Sequence, residues 1–252
     1  METQNIIITG GASRIGAEIA KSLANPKTQI TIQYNRSKIK AQNLKKQLEK
    51  KGARIFLIKS NLKKISNLKK IINFSKKKMK RLDCLINNAS LFENDNIFNF
   101  SENSWDSHFD INLKAPAILI KEFSKKILKI NKANIINIID QRVFKLTPYF
   151  LSYTLSKTGL YTLTKTSAMA LAPNIRVNGI APGPTMKNKR QSKKHFIKQY
   201  YSTPLRKKVD VQEICKAVKF FKENTSITGQ IIAIDSGQSL NWNTPDIIGS
   251  KE

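Results

Sequence analysis

The sequence predicts an α/β fold: a doubly wound, seven-stranded parallel sheet with helices on both faces, in one domain spanning residues 1–252. Three observations predict it. Short apolar runs alternate with longer amphipathic segments along the chain, as strand–helix repeats do. A glycine-rich turn, "TGGASRIG", follows the first apolar run and opens the first amphipathic segment. No linker, internal repeat or low-complexity stretch divides the 252 residues, a length that α/β domains reach undivided.

The elements follow in order. "NIIITG" is a strand and "SRIGAEIAKSLA" a helix; "QITIQYN" is a second strand, and "KAQNLKKQLEKKG" a helix ending at Gly52. "RIFLIKSN" is a third strand, "LKKIINFSKKKM" a helix and "LDCLINNAS" a fourth strand. One long helical stretch is expected near 104–129, with "NIINIID" as the fifth strand and a helix over 151–171. "NIRVNGIAPG" is a sixth strand running into a loop, and "QIIAID" is the seventh. Crossovers between parallel strands are right-handed. The least regular part is 184–205, rich in lysine and glutamine, and is expected to be a loop covering the substrate.

The bulk chemistry excludes several classes. A 40% hydrophobic fraction suits a folded globule. No apolar run reaches the roughly 18 residues of a membrane span, and the start of the chain does not read as a secretory signal. Two cysteines, Cys84 and Cys215, have neither CxxC nor metal-ligand spacing, so a reduced, cytoplasmic setting is expected. His108 and His195 lie far apart and indicate no metal site. The net charge of +28 comes mostly from lysine spread along the chain. It lacks the interleaved aromatics of a single-strand binding platform, so a solvated lysine surface is favoured over a nucleic-acid partner. A positive field in either case draws in a phosphorylated cofactor.

The glycine turn offers Gly10, Ser13, Arg14, Ile15 and Gly16 as cofactor contacts, with a helix N-terminus aimed at a pyrophosphate. The end of the second strand selects the cofactor. An acid there would bond the ribose hydroxyls of NAD and repel a 2′-phosphate. This chain has Asn35, Arg36 and Ser37, which suit the phosphate of NADPH, the alternative being a surface arginine after a strand. Arg14 reaches either this region or the substrate. Tyr153 and Lys157 are four apart on the helix over 151–171 and project from one face. A free tyrosine titrates near 10, and a neighbouring ammonium lowers that.

Taken together, "TGGASRIG", "LINNAS", Asn112 in "DINLKAP", "YTLSK", "RVNGIAPGPT" and "TGQIIAIDSG" resemble the short-chain dehydrogenase/reductase family over nearly the whole chain. The resemblance implies a Rossmann sheet and a set of roles. Tyr153 is the general acid, Lys157 holds the nicotinamide ribose, and Asn112 anchors a proton-relay water. Asn88, Ala89 and Ser90 lie along the cofactor, as do Pro182, Gly183 and Thr185. Where the family often has an aspartate after the third strand this chain has Asn61, whose amide oxygen can still accept from the adenine amino group. A homodimer or homotetramer is implied, with the helices near 104–129 and 151–171 at interfaces.

Asp140 departs from the wider family, where serine usually stands. An ionised carboxylate can only accept, and so opposes charge growing on a ketone oxygen. A C=N bond makes a different demand: its nitrogen needs a proton as hydride reaches carbon. Asp140, Tyr153 and Lys157, with Arg14, "NRS", Ser90 and Phe92, resemble the pteridine reductase branch, including dihydromonapterin-type reductases. That branch implies an NADPH-dependent reductase of a pterin-like small molecule, with Phe92, Arg14 and Ser90 on the substrate. The alternatives are a carbonyl reductase acting on a 3-oxoacyl thioester and a non-catalytic NADP- or nucleic-acid-binding protein. For single residues, Phe92 can be an ordinary core side chain, and Asp140 an acid satisfied locally by backbone or Arg142. Glu93 and Asp95 read as loop carboxylates, the alternative being that they line the pocket mouth, and Trp105 and Phe109 read as packing.

Overall fold

The computed structural model describes residues 3–127, 132–188 and 191–240. Seven parallel strands form one sheet: β1 (Gln4–Ile8), β2 (Thr28–Tyr34), β3 (Arg54–Lys59), β4 (Cys84–Asn87), β5 (Ala133–Ile138), β6 (Ile175–Pro182) and β7 (Ile231–Ile234). Their order is β3-β2-β1-β4-β5-β6-β7, so the chain reverses direction across the sheet between β1 and β4. The crevice at such a reversal, beyond the carboxyl ends of the strands, is where doubly wound folds hold ligands.

Alternation along each strand builds two cores. Ile6, Ile8, Ile30 and Ile32 point to one face. There they meet α1 (Arg14–Leu23), α2 (Lys38–Glu49) and α8 (Val211–Glu223) through Ile19, Leu44 and Phe221. Ile7, Leu85, Ile135 and Val177 point to the other. That face carries α3 (Ile65–Met79), α5 (Ala115–Ser124) and α6 (Leu151–Leu171). Because both faces are covered, β1 reads as an unbroken run of isoleucine rather than apolar–polar alternation.

Three elements depart from the sequence expectation. The long stretch near 104–129 is α4 (Glu102–Phe109), a π-helical turn over Asp110–Lys114, and α5; its expected last residues, 128 and 129, lie outside the described residues. Pro116 explains the interruption. It has no N–H for the carbonyl four residues back, that of Asn112, and its ring crowds that carbonyl. The turn widens there, as π-bulges do. Segment 184–205 is not wholly irregular: it contains α7 (Lys193–Tyr201), capped by Ser192, whose hydroxyl accepts from His195 N. Phe196 and Tyr200, one turn apart, pack edge to face on it. Lys189 and Arg190 of that segment lie outside the described residues. Finally, α8 has no counterpart in the element reading, although Ile214, Cys215, Val218 and Phe221 recur at helical spacing and Asp210 caps it by accepting from Gln212 N.

Candidate active site

The carboxyl ends of β1, β4, β5 and β6 and the first turns of α6 line the site. Helix α6 begins at Leu151, directly after Phe150, which takes a left-handed backbone at φ 61°. A non-glycine residue there is strained, and the surroundings hold it. The carbonyl of Asp95 accepts from Phe150 N at 2.6 Å and from Leu151 N at 3.4 Å. Deeper in α6, Thr164 Oγ1 accepts from Asn137, which itself accepts from Asn87, so a buried polar chain ties the helix to β5 and β4.

One turn into α6, the Tyr153 hydroxyl donates to Asp140 Oδ2 at 2.7 Å. The other oxygen, Asp140 Oδ1, accepts from Arg142 N at 2.9 Å, so the carboxylate bridges a backbone cap and the phenol. Burial raises the Tyr153 pKa well above 10, and the Asp140 charge and hydrogen bond raise it further; Arg142 and the Ser90 hydroxyl oppose this. Lys157 is buried and donates to the carbonyl of Ile138 at 2.8 Å. Burial lowers its pKa to about 8, with Asp140 acting the other way.

Phe92 meets Tyr153 edge to face at 4.6 Å between centroids and stacks on Phe150 at 4.7 Å. It is therefore a wall of the site beside the phenol. The Arg142 guanidinium lies 4.3 Å from the Phe150 centroid and 5.9 Å from that of Phe92.

Asn112 sits in the π turn, wholly buried. Its Oδ1 accepts from Leu91 N and Ser90 Oγ, and its Nδ2 donates to Leu91 O and Ser156 Oγ. Two acceptor and two donor positions are all that an amide has. Its side chain is thus a strut between the Ser90–Leu91 strip and α6, with no capacity left for a relay water.

The cofactor-side residues divide. Gly10 turns at φ 60°, and a Cβ on Gly16 would lie 2.6 Å from Gly10 O, so this turn closes only on glycine. Asn88 Nδ2 donates to the carbonyls of Thr9 and Gly10, and the N–H groups of Asn88 and Ala89 both reach Thr9 Oγ1. These two residues clamp the glycine turn. Ser13 precedes α1 with a hydroxyl that makes no cap, and Ile15 packs against the core. The Arg14 guanidinium donates to the carbonyls of Met186 and Lys187, at 2.9 and 3.0 Å, which ties the glycine turn to segment 184–205. Thr185 Oγ1 donates to Gly183 O, which follows Pro182 at the end of β6. Asn61 Oδ1 accepts from Lys63 N, which leaves one lone pair. Asn35 and Arg36 are exposed, and no acid stands near them in sequence.

The sequence reading missed Asp95, Ser152, His108 and Phe150. Asp95 is only 3% exposed and accepts from Ser152 N at 3.2 Å, so it is a buried cap of α6 rather than a loop carboxylate. No local spacing signals these contacts, since Asp95 and Ser152 are 57 residues apart.

The sequence model of the short chain dehydrogenase family matches residues 4–197. The chain belongs to that family. Among solved structures it is similar to FolM alternative dihydrofolate reductase 1 from Brucella canis complexed with NADP: 40% identity, TM-score 0.92, 96% of each chain covered. The Brucella suis FolM protein in complex with NADP shares 39% identity at a TM-score of 0.93, over 97% of this chain and 98% of that one. Among curated proteins, the 3-oxoacyl-[acyl-carrier-protein] reductase FabG of Staphylococcus epidermidis is 28% identical over 94% of this chain and 99% of its own length. As a family member the chain is an oxidoreductase. No helix among the described residues is long and apolar enough to cross a membrane.

Proposed function

We propose that the protein is an NADPH-dependent reductase that adds hydride to a C=N bond of a pterin-like heterocycle. The observation that carries this reading is the 2.7 Å hydrogen bond from Tyr153 to Asp140. A carboxylate at that place repels the charge that grows on a ketone oxygen during reduction. It suits a ring nitrogen, whose N–H and amino neighbours it can accept from. The raised pKa of Tyr153 agrees: a reluctant acid gives its proton best to a strong base, and a nitrogen taking up an electron pair is a stronger base than an alkoxide. Identity to the FolM proteins, at 39% and 40%, exceeds that to FabG, at 28%, and points the same way.

The residues present fit NADPH. The tight turn at Gly10 and Gly16 and the start of α1 would take the pyrophosphate. Arg36, exposed, and Ser37, whose hydroxyl makes no helix cap, would take the 2′-phosphate. Asn61 would accept from the adenine, and Pro182, Gly183 and Thr185 would flank the nicotinamide. When bound, NADPH supplies the hydride. Tyr153 then gives its proton to the adjacent nitrogen, so that C=N becomes CH–NH. Asp140, in contact with the phenol, is the path for the replacement proton. Lys157 keeps a positive charge behind Tyr153 and holds the ribose. A relay water on Asn112 would use its backbone carbonyl, which Pro116 deprives of its usual helical donor. Phe92 and Ser90 would face the substrate. Arg14 would close the groove by holding segment 184–205 against the glycine turn. A homodimer or homotetramer is part of the reading, since α6 leaves Leu155 and Met169 exposed.

The test is a screen of NADPH oxidation with dihydropterins, dihydrofolate and 3-oxoacyl thioesters. Turnover of a dihydropterin or of dihydrofolate is expected. Activity on oxoacyl thioesters with none on any pterin would falsify the substrate assignment and favour the FabG-like reading.

A further inference from the structure

Two parallel rungs tie the strip Ser90–Asp95 to the helix that carries Tyr153. The first is Asn112, which bonds both backbone groups of Leu91 and the Ser156 hydroxyl. The second is His108, one turn earlier on α4. Its Nε2 accepts from Glu93 N at 3.1 Å, and its Nδ1 meets Ser152 Oγ at 2.7 Å. Ser152 Oγ donates in turn to Asp95 Oδ2. Leu91 and Glu93 flank Phe92; Ser152 and Ser156 flank Tyr153 one turn apart. The rungs therefore anchor the neighbours of the two side chains that face each other in the site.

The second rung has one direction throughout. A backbone N–H can only donate, so Nε2 carries no proton. A neutral ring then has its proton on Nδ1 and gives it to Ser152, whose own proton goes to the Asp95 carboxylate. His108 and Ser152 are wholly buried, so a lost bond here leaves a polar group without water. Charging the ring would add a proton at Nε2 and break the bond to Glu93 N. The ionisable groups facing the ring are Asp95 and Glu93 on the strip and Tyr153 on α6, whose ring centroid is 6.0 Å away. Burial holds the His108 pKa below its ordinary value against the pull of the two acids and of a hydrogen bond to the Ser104 backbone.

We propose that His108 is a positioning residue: as the neutral Nδ1–H tautomer it holds Ser152 and the Glu93 amide, and so sets the separation of Phe92 and Tyr153. This goes beyond the pterin reading and applies to any substrate reduced at Tyr153.

Nitrogen-15 NMR of the wild-type protein near pH 7 reads the tautomer, with the His108 signals identified by their loss in His108→Phe. A protonated Nδ1 with a bare Nε2 is expected; an Nε2–H tautomer or an imidazolium overturns the proposal. Kinetics with NADPH deuterated at the transferred hydrogen supply the second reading. His108→Phe should lower kcat about 10-fold and raise the isotope effect on kcat, with the NADPH dissociation constant unchanged within about twofold. His108→Asn, which can still donate to Ser152, should recover part of the loss. A merely structural residue would lower Tm and the active fraction while kcat per active site and the isotope effect stayed at wild-type values, and that result also overturns the proposal. If His108→Phe does not fold, Ser152→Ala breaks the same rung and takes its place. Failure of the pterin reading shows separately, as wild-type enzyme inert towards pterins, and leaves the tautomer to judge the inference.

Discussion

The two ends of the groove are built in opposite ways. At the chemical end almost every polar group is already spoken for: Tyr153 on Asp140, Lys157 on Ile138, Asn112 on four partners, and Ser152 between His108 and Asp95. At the phosphate end, Asn35 and Arg36 stand exposed, and the Ser37 hydroxyl leaves α2 uncapped. The contrast follows from what each end must do. Proton transfer needs groups held to a fraction of an ångström before the substrate arrives. A phosphate brings two charges and several acceptors, enough to order a flexible arginine when it binds. One end selects by geometry and the other by charge, so substitutions at the two ends should separate cleanly in kinetics.

The largest break is Tyr153→Phe. It removes the proposed proton donor and the contact with Asp140 while keeping the ring packed on Phe92. Turnover should fall by about 10²–10⁴-fold with NADPH affinity nearly unchanged, measured by steady-state rates and by fluorescence titration. A variant that keeps more than a tenth of the rate would move the proton donor elsewhere. Next comes Asp140→Ser. Dihydropterin reduction should drop about 10- to 100-fold, while reduction of simple ketones is spared or improved, measured as kcat/KM for both substrates. Equal losses on both would mean that Asp140 acts only by capping the Gln141–Val143 turn through Arg142 N.

Arg36→Ala probes the other end. Losing a charge-assisted phosphate contact should weaken NADPH about 10- to 100-fold, the equivalent of about 1.5–3 kcal/mol, and leave NADH affinity and kcat alone. Isothermal titration with both nucleotides decides it. A matching loss for NADH would place Arg36 outside the phosphate site.

How much was legible in the sequence follows the same division. The strands were legible because a sheet covered on both faces writes itself as short apolar runs, and α6 was placed at 151–171 because its pattern is continuous. The break at Asp110–Lys114 is hidden because Pro116 lies inside a stretch, near 104–129, that otherwise has the pattern of one helix, and lysine-rich composition hides α7. At the site, Tyr153 and Asp140 are close in sequence, and their contact could be anticipated. The second rung could not: His108 and Ser152 are 44 residues apart, and neither stands in a motif. Only folding brings such groups together, and their role appears in the direction of their hydrogen bonds rather than in their spacing.

The smallest effect is a pH dependence at Lys157, where activity and stability should move in opposite directions. In the cofactor-free protein its pKa is lowered from 10.5 to about 8, chiefly by burial. As pH rises through about 8 the ammonium is lost, and with it the charge beside the phenol and the proposed hold on the ribose. The ratio kcat/KM for NADPH, which reports free enzyme, should therefore fall on the basic side from about pH 8. Stability runs the other way. Between about 8 and 10.5 the unfolded chain binds more protons at this lysine than the folded chain does, so unfolding becomes harder as pH rises across that window. Below it the difference is constant, and a buried ammonium costs the fold its desolvation. Other lysines and tyrosines titrate in the same range, so the readout is the difference in Tm between wild type and Lys157→Met. Wild type should be the less stable of the two near pH 7 and should gain on the variant as pH climbs. A difference that stays flat, or falls along with kcat/KM, would mean that Lys157 enters the folded state with an ordinary ammonium, and that the chemical end is more open to water than its burial implies.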